Sequence, residues 1–137
     1  MKIGFTGTRK GMTEQQKEKL FEIICLSRPT EFHHGCCVGA DLEAHYLVAA
    51  WCPRIVAHPP ENMSLAEIPQ GCDQVRKPRP YLERNRNIVD ECEVLIATPN
   101  SKRPKPCSGT WYTINYARQK VRPMSVIVIY PDGTTNE

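Results

Sequence analysis

The sequence predicts an α/β protein, with a mainly parallel sheet of five strands between two layers of helices. Short apolar runs alternate with amphipathic stretches, and glycine- and proline-containing turns separate them. Strands that alternate with helices favour βαβ units, and therefore parallel pairing with right-handed crossovers. A chain of 137 residues has room for one domain of ordinary size. We therefore expect residues 1–137 to form a single domain.

The first half of the chain supplies three strands and two helices. The apolar run Lys2 to Phe5 predicts a strand, and Thr13 forms a capping box with Gln16 at the start of a helix that runs to about Leu26. The alternation and helical spacing that follow predict a strand at 31–34, a helix at 41–51 and a strand at 54–58.

The second half begins with a long loop. Five prolines between Pro59 and Pro80 exclude a continuous helix or a central strand there. A loop of this length either faces a substrate or is an irregular surface segment. Beyond it the pattern predicts a helix at 81–91, a strand at 94–98, a helix at 109–120 that opens with a Ser-Gly-Thr turn, and a last strand at 125–130.

Composition narrows the class of protein. Hydrophobic residues make up 40% and charged residues 24%, which excludes wholesale disorder. No apolar run approaches the roughly 20 residues that cross a bilayer, and the glycine-rich start does not resemble a signal peptide. We therefore expect no membrane contact and a cytoplasmic location. The seven cysteines are an odd count within apolar segments, which indicates free thiols. A net charge of +3 permits contact with phosphate without a nucleic-acid-coating surface.

Three glycine-containing turns follow predicted strands, where parallel sheets bind ligands. The first, Thr6-Gly7-Thr8-Arg9-Lys10-Gly11, has two hydroxyls and two cations near backbone that approaches an anion closely, although an ordinary turn explains it as well. The second runs from His34 to Asp41 and contains Gly35 and Gly39. Its Asp41 either caps the next helix or accepts hydrogen bonds from ribose hydroxyls.

The His33-His34-Gly35-Cys36-Cys37 run raises the hypothesis of a metal site, because imidazole and thiolate bind zinc. Neighbouring residues on a strand point to opposite faces, and no second cluster with ligand spacing completes a tetrahedral site. We therefore predict no metal and no other cofactor.

The third turn is the strongest candidate for a phosphate site. Ser108, Gly109 and Thr110 begin a helix, where free N–H groups, the helix dipole and two hydroxyls favour an anion. Arg84 and Arg86, on the preceding helix, are either ligand contacts or solvated surface charges.

The run from Glu83 to Pro99, followed by Ser108-Gly109-Thr110, resembles the second half of a Lonely Guy domain. That family belongs to the SLOG superfamily of Rossmann-like nucleotide-binding proteins, which includes the DNA-processing protein A core and YspA-like proteins. Gly4 to Arg9 and His34 to Asp41 are also similar to superfamily signatures. The resemblance implies a Rossmann-like domain that binds a nucleotide, and relatives that commonly self-associate imply a homo-oligomer.

Lonely Guy enzymes hydrolyse the N-glycosidic bond of nucleoside 5′-monophosphates. The resemblance maps their catalytic arginine onto Arg84, but their glutamate position falls on Thr113. A ribosyl centre that loses its base needs a carboxylate nearby. Glu83, Asp41 or Glu61 is then the candidate replacement, with Glu83 and Asp41 joining Arg84 as predicted catalytic residues.

The predicted ligand contacts follow from the same comparison. The nucleoside part is assigned to Gly7, Thr8, Arg9, Gly35, Gly39 and Asp41, and the phosphate to Ser108, Gly109 and Thr110. Three hypotheses stay open. They are a phosphoribohydrolase-like hydrolase, a non-catalytic nucleotide sensor, and a protein that binds single-stranded DNA through the cations of residues 76–79 and 102–105. The third is disfavoured because the loops carry few aromatic residues.

Overall fold

The computed structural model describes residues 1–122 and 124–136. Six parallel strands form one sheet in the order β4-β3-β2-β1-β5-β6. The strands are β1 Lys2–Gly7, β2 Glu31–His34, β3 Ile55–Ala57, β4 Gln74–Val75, β5 Val94–Thr98 and β6 Ser125–Val128. The helices are α1 Glu14–Ser27, α2 Ala40–Val48, α3 Tyr81–Asp90 and α4 Gly109–Arg118. The predicted α/β class and parallel sheet are confirmed.

The sheet has one strand more than the sequence predicts. The extra strand, β4, contains only Gln74 and Val75 and pairs with β3 at the edge of the sheet. It lies inside the proline-rich segment, which also contains a short 3-10 helix at Met63–Leu65. An edge strand tolerates flanking prolines because one of its sides needs no ladder hydrogen bonds.

Helices cover both faces of the sheet. On one face, α1 and α2 pack together through Leu20, Ile24, Ala44 and Val48, over strand residues such as Phe5. On the other face, α3 and α4 pack together, with Val89, Trp111, Ile114 and Ala117 against β5 and β6. Alternate strand residues supply the two cores, as strand geometry requires.

Local signals fix the ends of two helices. Thr13 accepts a hydrogen bond from the Gln16 N–H, and the Gln16 side chain accepts one from the Thr13 N–H, which confirms the predicted capping box. Ser108 caps α4 by accepting from the Trp111 N–H at 3.2 Å. In residues 1–122 and 124–136, no helix combines the length and apolar character that a membrane crossing requires.

The order in which strands are added to the sheet reverses at β1. Strands β2 to β4 extend the sheet on one side of β1, whereas β5 and β6 extend it on the other. In open parallel sheets, the carboxyl ends of the strands diverge at such a reversal and leave a crevice for a ligand. The crevice here lies between the ends of β1, at Gly7, and β5, at Thr98.

Candidate functional site

Two adjoining cavities open at the carboxyl edge of the sheet. The first, the α4 cavity, has a volume of about 410 Å³. It is lined by Gly7, Thr8, Arg9, Lys10, Cys37, Tyr81, Asn100, Lys105, Cys107, Ser108, Gly109 and Thr110. The second, the loop cavity, has a volume of about 300 Å³ and is lined by Arg9, Cys37, Pro60, Glu61, Asn62, Ser64, Leu65, Pro80 and Tyr81. Arg9, Cys37 and Tyr81 line both, so the two cavities are neighbours.

The α4 cavity is strongly positive. Arg9, Lys10 and Lys105 bring three cations to its wall, and no acidic residue is among its lining residues in the described chain. The N–H groups of Gly109 and Thr110 belong to the first turn of α4, where an α-helix leaves its donors without intrahelical partners. Cations and a helix N-terminus on one cavity wall together favour an anion.

Tyr81 lies where the two cavities adjoin. The Arg9 guanidinium lies 5.5 Å from the centre of its ring, and the Arg84 guanidinium lies 5.0 Å from it, both within cation–π range. A Cβ atom on Gly109 would overlap the Tyr81 hydroxyl. Glycine at this position therefore lets α3 and the start of α4 approach closely.

Two glycines also let the turn from Thr6 to Gly11 pack closely against neighbouring residues. Gly7 lies against Ala40 and the Thr98 hydroxyl, so closely that a Cβ would overlap both. Gly39 has a φ of 92°, and a Cβ there would overlap the carbonyl groups of Thr8 and Arg9. The Ala40 N–H then donates to the Thr8 carbonyl at 3.0 Å, which holds the first turn against the start of α2.

Arg84 is buried beneath the loop that follows β2. Its guanidinium donates to the Gly35 carbonyl, to the His58 carbonyl at 3.0 Å and to the Asn85 side chain at 2.9 Å. A further contact reaches the Cys37 sulfur at 3.4 Å. Arg84 lines neither the α4 cavity nor the loop cavity. Its contacts make it a positioning residue for the loop that carries Cys37.

Asp41 lies in the same buried layer. Its Oδ2 accepts from the Cys37 N–H at 3.1 Å, while its Oδ1 has no hydrogen-bond partner within residues 1–122 and 124–136. Burial raises the pKa of Asp41 to about 6, and the nearby Arg84 charge partly opposes that shift. Asp41 is 6% exposed and lines neither cavity. Asp41 thus fixes the Cys37 loop from the start of α2.

All but one of the predicted site residues fall into two groups. Gly7, Thr8, Arg9, Ser108, Gly109 and Thr110 come together around the α4 cavity. Gly35, Gly39, Asp41 and Arg84 lie beneath it and hold the loops in place. Glu83 is half-buried on α3 and lines neither cavity. Thr113, at the position of the family glutamate, donates its hydroxyl to the Gly109 carbonyl at 2.8 Å.

Several lining residues lie outside the predicted set of ligand contacts. Lys10 belongs to the turn after β1, and its positive charge is the sequence feature that indicates an anion contact. Lys105 lines the cavity from the loop before α4. Glu61 comes from the proline-rich segment and is the one carboxylate that lines either cavity within residues 1–122 and 124–136. No local pattern indicates which face of that segment turns toward the sheet.

The four histidines form two separate buried pairs. His33 and His34 point to opposite faces of the sheet, as alternation requires. His34 pairs with His45 at 3.1 Å, and His33 pairs with His58 at 2.8 Å. Each pair has a third ligand-type atom close by, from Cys72 or Glu91 respectively, within 4.8 Å of the others.

Hydrogen bonds assign the proton positions in the first pair. The Cys36 N–H donates to His34 Nδ1 at 3.1 Å, so the proton of His34 lies on Nε2 and donates to His45 Nδ1. His45 Nε2 then donates to the Gln70 carbonyl at 2.7 Å. A metal on His34 Nε2 would move a proton to Nδ1, against the Cys36 N–H. This pair is therefore better suited to a neutral hydrogen-bonded chain than to a metal.

Comparison with solved structures identifies the fold. A molybdenum cofactor binding protein from the phototrophic bacterium Rippkaea orientalis superposes with a TM-score of 0.70 at 19% identity, over 94% of this chain and 76% of that one. This chain has a Rossmann-like fold. The structure of TM1055 superposes with a TM-score of 0.62 at 12% identity, over 85% of this chain and 67% of that one. No protein-family model matches the sequence, and no curated protein matches it significantly.

Proposed function

We propose that this Rossmann-like protein binds a nucleotide or a nucleotide-derived ligand, with its phosphate in the α4 cavity and its heterocycle in the loop cavity. The observation that carries the proposal is that the two cavities adjoin, because Arg9, Cys37 and Tyr81 line both of them. A nucleotide has the same division into an anionic end and a less polar ring. The molybdenum cofactor binding protein, a structural neighbour, also has a small-molecule ligand.

Charge supports the placement of the phosphate. The α4 cavity combines three cations with the start of α4 and has no carboxylate on its described wall. Hydrogen bonds between charged partners contribute about 1.5–3 kcal/mol each, so one lysine changes affinity roughly 10-fold or more. The loop cavity adds Leu65 and two prolines as apolar surface, with Asn62 and Ser64 as polar groups that can recognise a ring edge.

The assignment to the SLOG superfamily rests on the sequence motifs, and the Rossmann-like neighbours agree with it. Self-association, a cytoplasmic location and a single-domain chain are further predictions from the sequence. Sedimentation of the purified protein with and without nucleotide tests the first of these.

A non-catalytic binding role agrees best with the positions of the carboxylates. Asp41 is buried beneath the cavities, Glu83 lines neither of them, and the Thr113 hydroxyl is bonded to the backbone. One observation favours hydrolysis of an N-glycosidic bond as a second candidate. Glu61 lines the loop cavity and is a carboxylate at the end where the heterocycle would lie.

A thermal-shift screen against nucleoside mono-, di- and triphosphates and cyclic nucleotides tests binding, because a ligand at 100 times its dissociation constant stabilises the fold by about 3 kcal/mol. Chromatography of each positive sample for free base then separates the two candidates. Release of base that is lost in Glu61→Gln, with binding retained, identifies a hydrolase. Binding without release identifies a binding protein, and no thermal shift with any nucleotide would refute both.

A further inference from the structure

A third cavity lies on the other side of the proline-rich segment. This arginine cavity has a volume of about 210 Å³ and is lined by His58, Arg76, Lys77, Arg79, Arg84, Asn87 and Glu91. It has no lining residue in common with the α4 cavity or the loop cavity. A backbone bridge between Pro60, which lines the loop cavity, and Arg79 runs between them. The arginine cavity is therefore a separate candidate site.

The arginine cavity is electropositive. It is lined by four cations and one carboxylate, and that carboxylate is already engaged, because Glu91 Oε1 accepts from Arg76 at 2.6 and 3.1 Å. Lys77 and Arg79 are exposed and have no acidic partner among the ion pairs of the described chain. Arg84 is 2% exposed and held by backbone carbonyls. This excess of positive charge favours an anion and opposes a metal cation.

Hydrogen bonds determine which atoms the cavity presents at its base. The carboxylate of Glu31 can only accept, so His33 Nε2 carries a proton and donates to it at 2.9 Å. Burial lowers the pKa of both imidazoles and keeps them neutral, so each ring carries one proton. Because the proton of His33 is on Nε2, its Nδ1 accepts from His58 Nε2 at 2.8 Å. The remaining nitrogen, His58 Nδ1, bears a lone pair.

That lone pair faces another acceptor. The distance from His58 Nδ1 to Glu91 Oε2 is 3.9 Å. Among the described hydrogen bonds, no donor reaches either atom. A ligand that fits this cavity supplies one hydroxyl donor to these two acceptors and several acceptor oxygens to the surrounding cations. A fully deprotonated oxyanion satisfies only the second requirement, because it has no proton to donate.

We propose that the arginine cavity binds inorganic hydrogen phosphate, whose P–OH group donates to His58 Nδ1 or Glu91 and whose other oxygens accept from Lys77 and Arg79. Sulfate has a similar shape and the same charge near pH 7.5 but lacks the proton. A phosphate monoester at that pH is also largely deprotonated, because its second pKa is about 6. The two acceptors therefore select free phosphate over both.

Histidine-selective ¹⁵N labelling provides a local test. Among the four histidines, all of which lie within the described residues, only His58 lines the arginine cavity and none lines the α4 cavity or the loop cavity. A phosphate in the nucleotide site therefore does not produce the same signal. Titration with inorganic phosphate near pH 7.5 is expected to shift the ring nitrogens of His58 and, through their hydrogen bond, those of His33. The His34 and His45 signals are expected to stay in place.

Variants and competing ions define the outcome. Lys77→Ala and Arg79→Ala are expected to weaken phosphate binding about 10-fold each, whereas Lys19→Ala, which removes a distant charge on α1, leaves it unchanged. Glu91→Gln replaces an acceptor with an amide and is expected to allow sulfate to bind. Equal His58 shifts with sulfate or adenosine monophosphate would overturn the role of the P–OH group. If the His58 signals do not shift at millimolar phosphate, or shift with Zn²⁺ alone, the proposal of a phosphate site is wrong.

Discussion

Acid is expected to destabilise this protein, because its fold buries neutral imidazoles. Burial lowers the pKa of His34 from 6.5 to about 3. Its neutral ring accepts from the Cys36 N–H and donates to His45, which in turn donates to the Gln70 carbonyl. The pKa in the folded state lies below that in the unfolded state. The stabilising contribution is therefore complete above pH 6.5 and is lost as the pH falls toward 3.

The magnitude follows from the size of the shift. Between pH 7 and 5 the unfolded chain takes up a proton that folded His34 refuses, which costs about 2 kcal/mol. His58, whose pKa is also lowered to about 3 by burial, adds a similar loss. Asp41 acts in the opposite direction, since its pKa is raised to about 6 and it regains about 1 kcal/mol over this range. The net loss is about 3 kcal/mol, a large part of the 5–15 kcal/mol typical of a domain.

Urea unfolding followed by tryptophan fluorescence between pH 5 and 8 measures this loss. His34→Asn keeps an acceptor for the Cys36 N–H but removes the titrating ring. The variant is expected to be less stable at pH 7, with a pH 7 to 5 loss smaller by about 2 kcal/mol. Stability that stays flat or rises as wild-type protein is acidified, or an unchanged slope in His34→Asn, would refute the assignment of a buried neutral imidazole.

Three further substitutions test the site. In wild-type protein, protonation of Asp41 raises the free energy of unfolding as the pH falls from about 6 to 4. Asp41→Asn is expected to abolish this gain, so the same urea titrations should show a steeper loss of stability on acidification. Gly109→Ala adds a Cβ that overlaps the Tyr81 hydroxyl, so nucleotide affinity should fall about 10-fold in calorimetry while overpacking costs about 1–3 kcal/mol of stability. Thr113→Val removes a hydroxyl that donates to the Gly109 carbonyl. The free energy of unfolding should change by no more than about 1 kcal/mol, and nucleotide affinity should be unchanged. Loss of nucleotide binding would assign Thr113 a direct ligand contact.

Local patterns account for most of the fold. Alternating apolar and amphipathic stretches place β1, β2, β5 and the four helices close to their observed positions, and the Thr13 capping box is present as expected. Strand β4 escapes prediction because its two residues have no periodicity of their own. They adopt strand geometry through pairing with β3, and the flanking prolines suggest only a loop.

The candidate site is predictable in part for the same reason. The turns after β1 and before α4 carry their own glycines, hydroxyls and cations, and both line the α4 cavity. Arg84 is different, because its partners Gly35 and His58 are 49 and 26 residues away in the chain. Only the folded sheet shows that its guanidinium is used for these carbonyls. The histidine pairs are likewise contacts between distant strands and helices.

Calorimetric titration of a nucleoside 5′-monophosphate into wild-type, Lys10→Ala and Lys19→Ala proteins tests the central claim most directly. Lys10 lines the α4 cavity, whereas Lys19 lies on α1 and removes the same charge at a distance. We predict binding to wild type, unchanged binding to Lys19→Ala and roughly 10-fold weaker binding to Lys10→Ala. Equal affinity in all three proteins, or no binding in any of them, would contradict a phosphate seat at the start of α4.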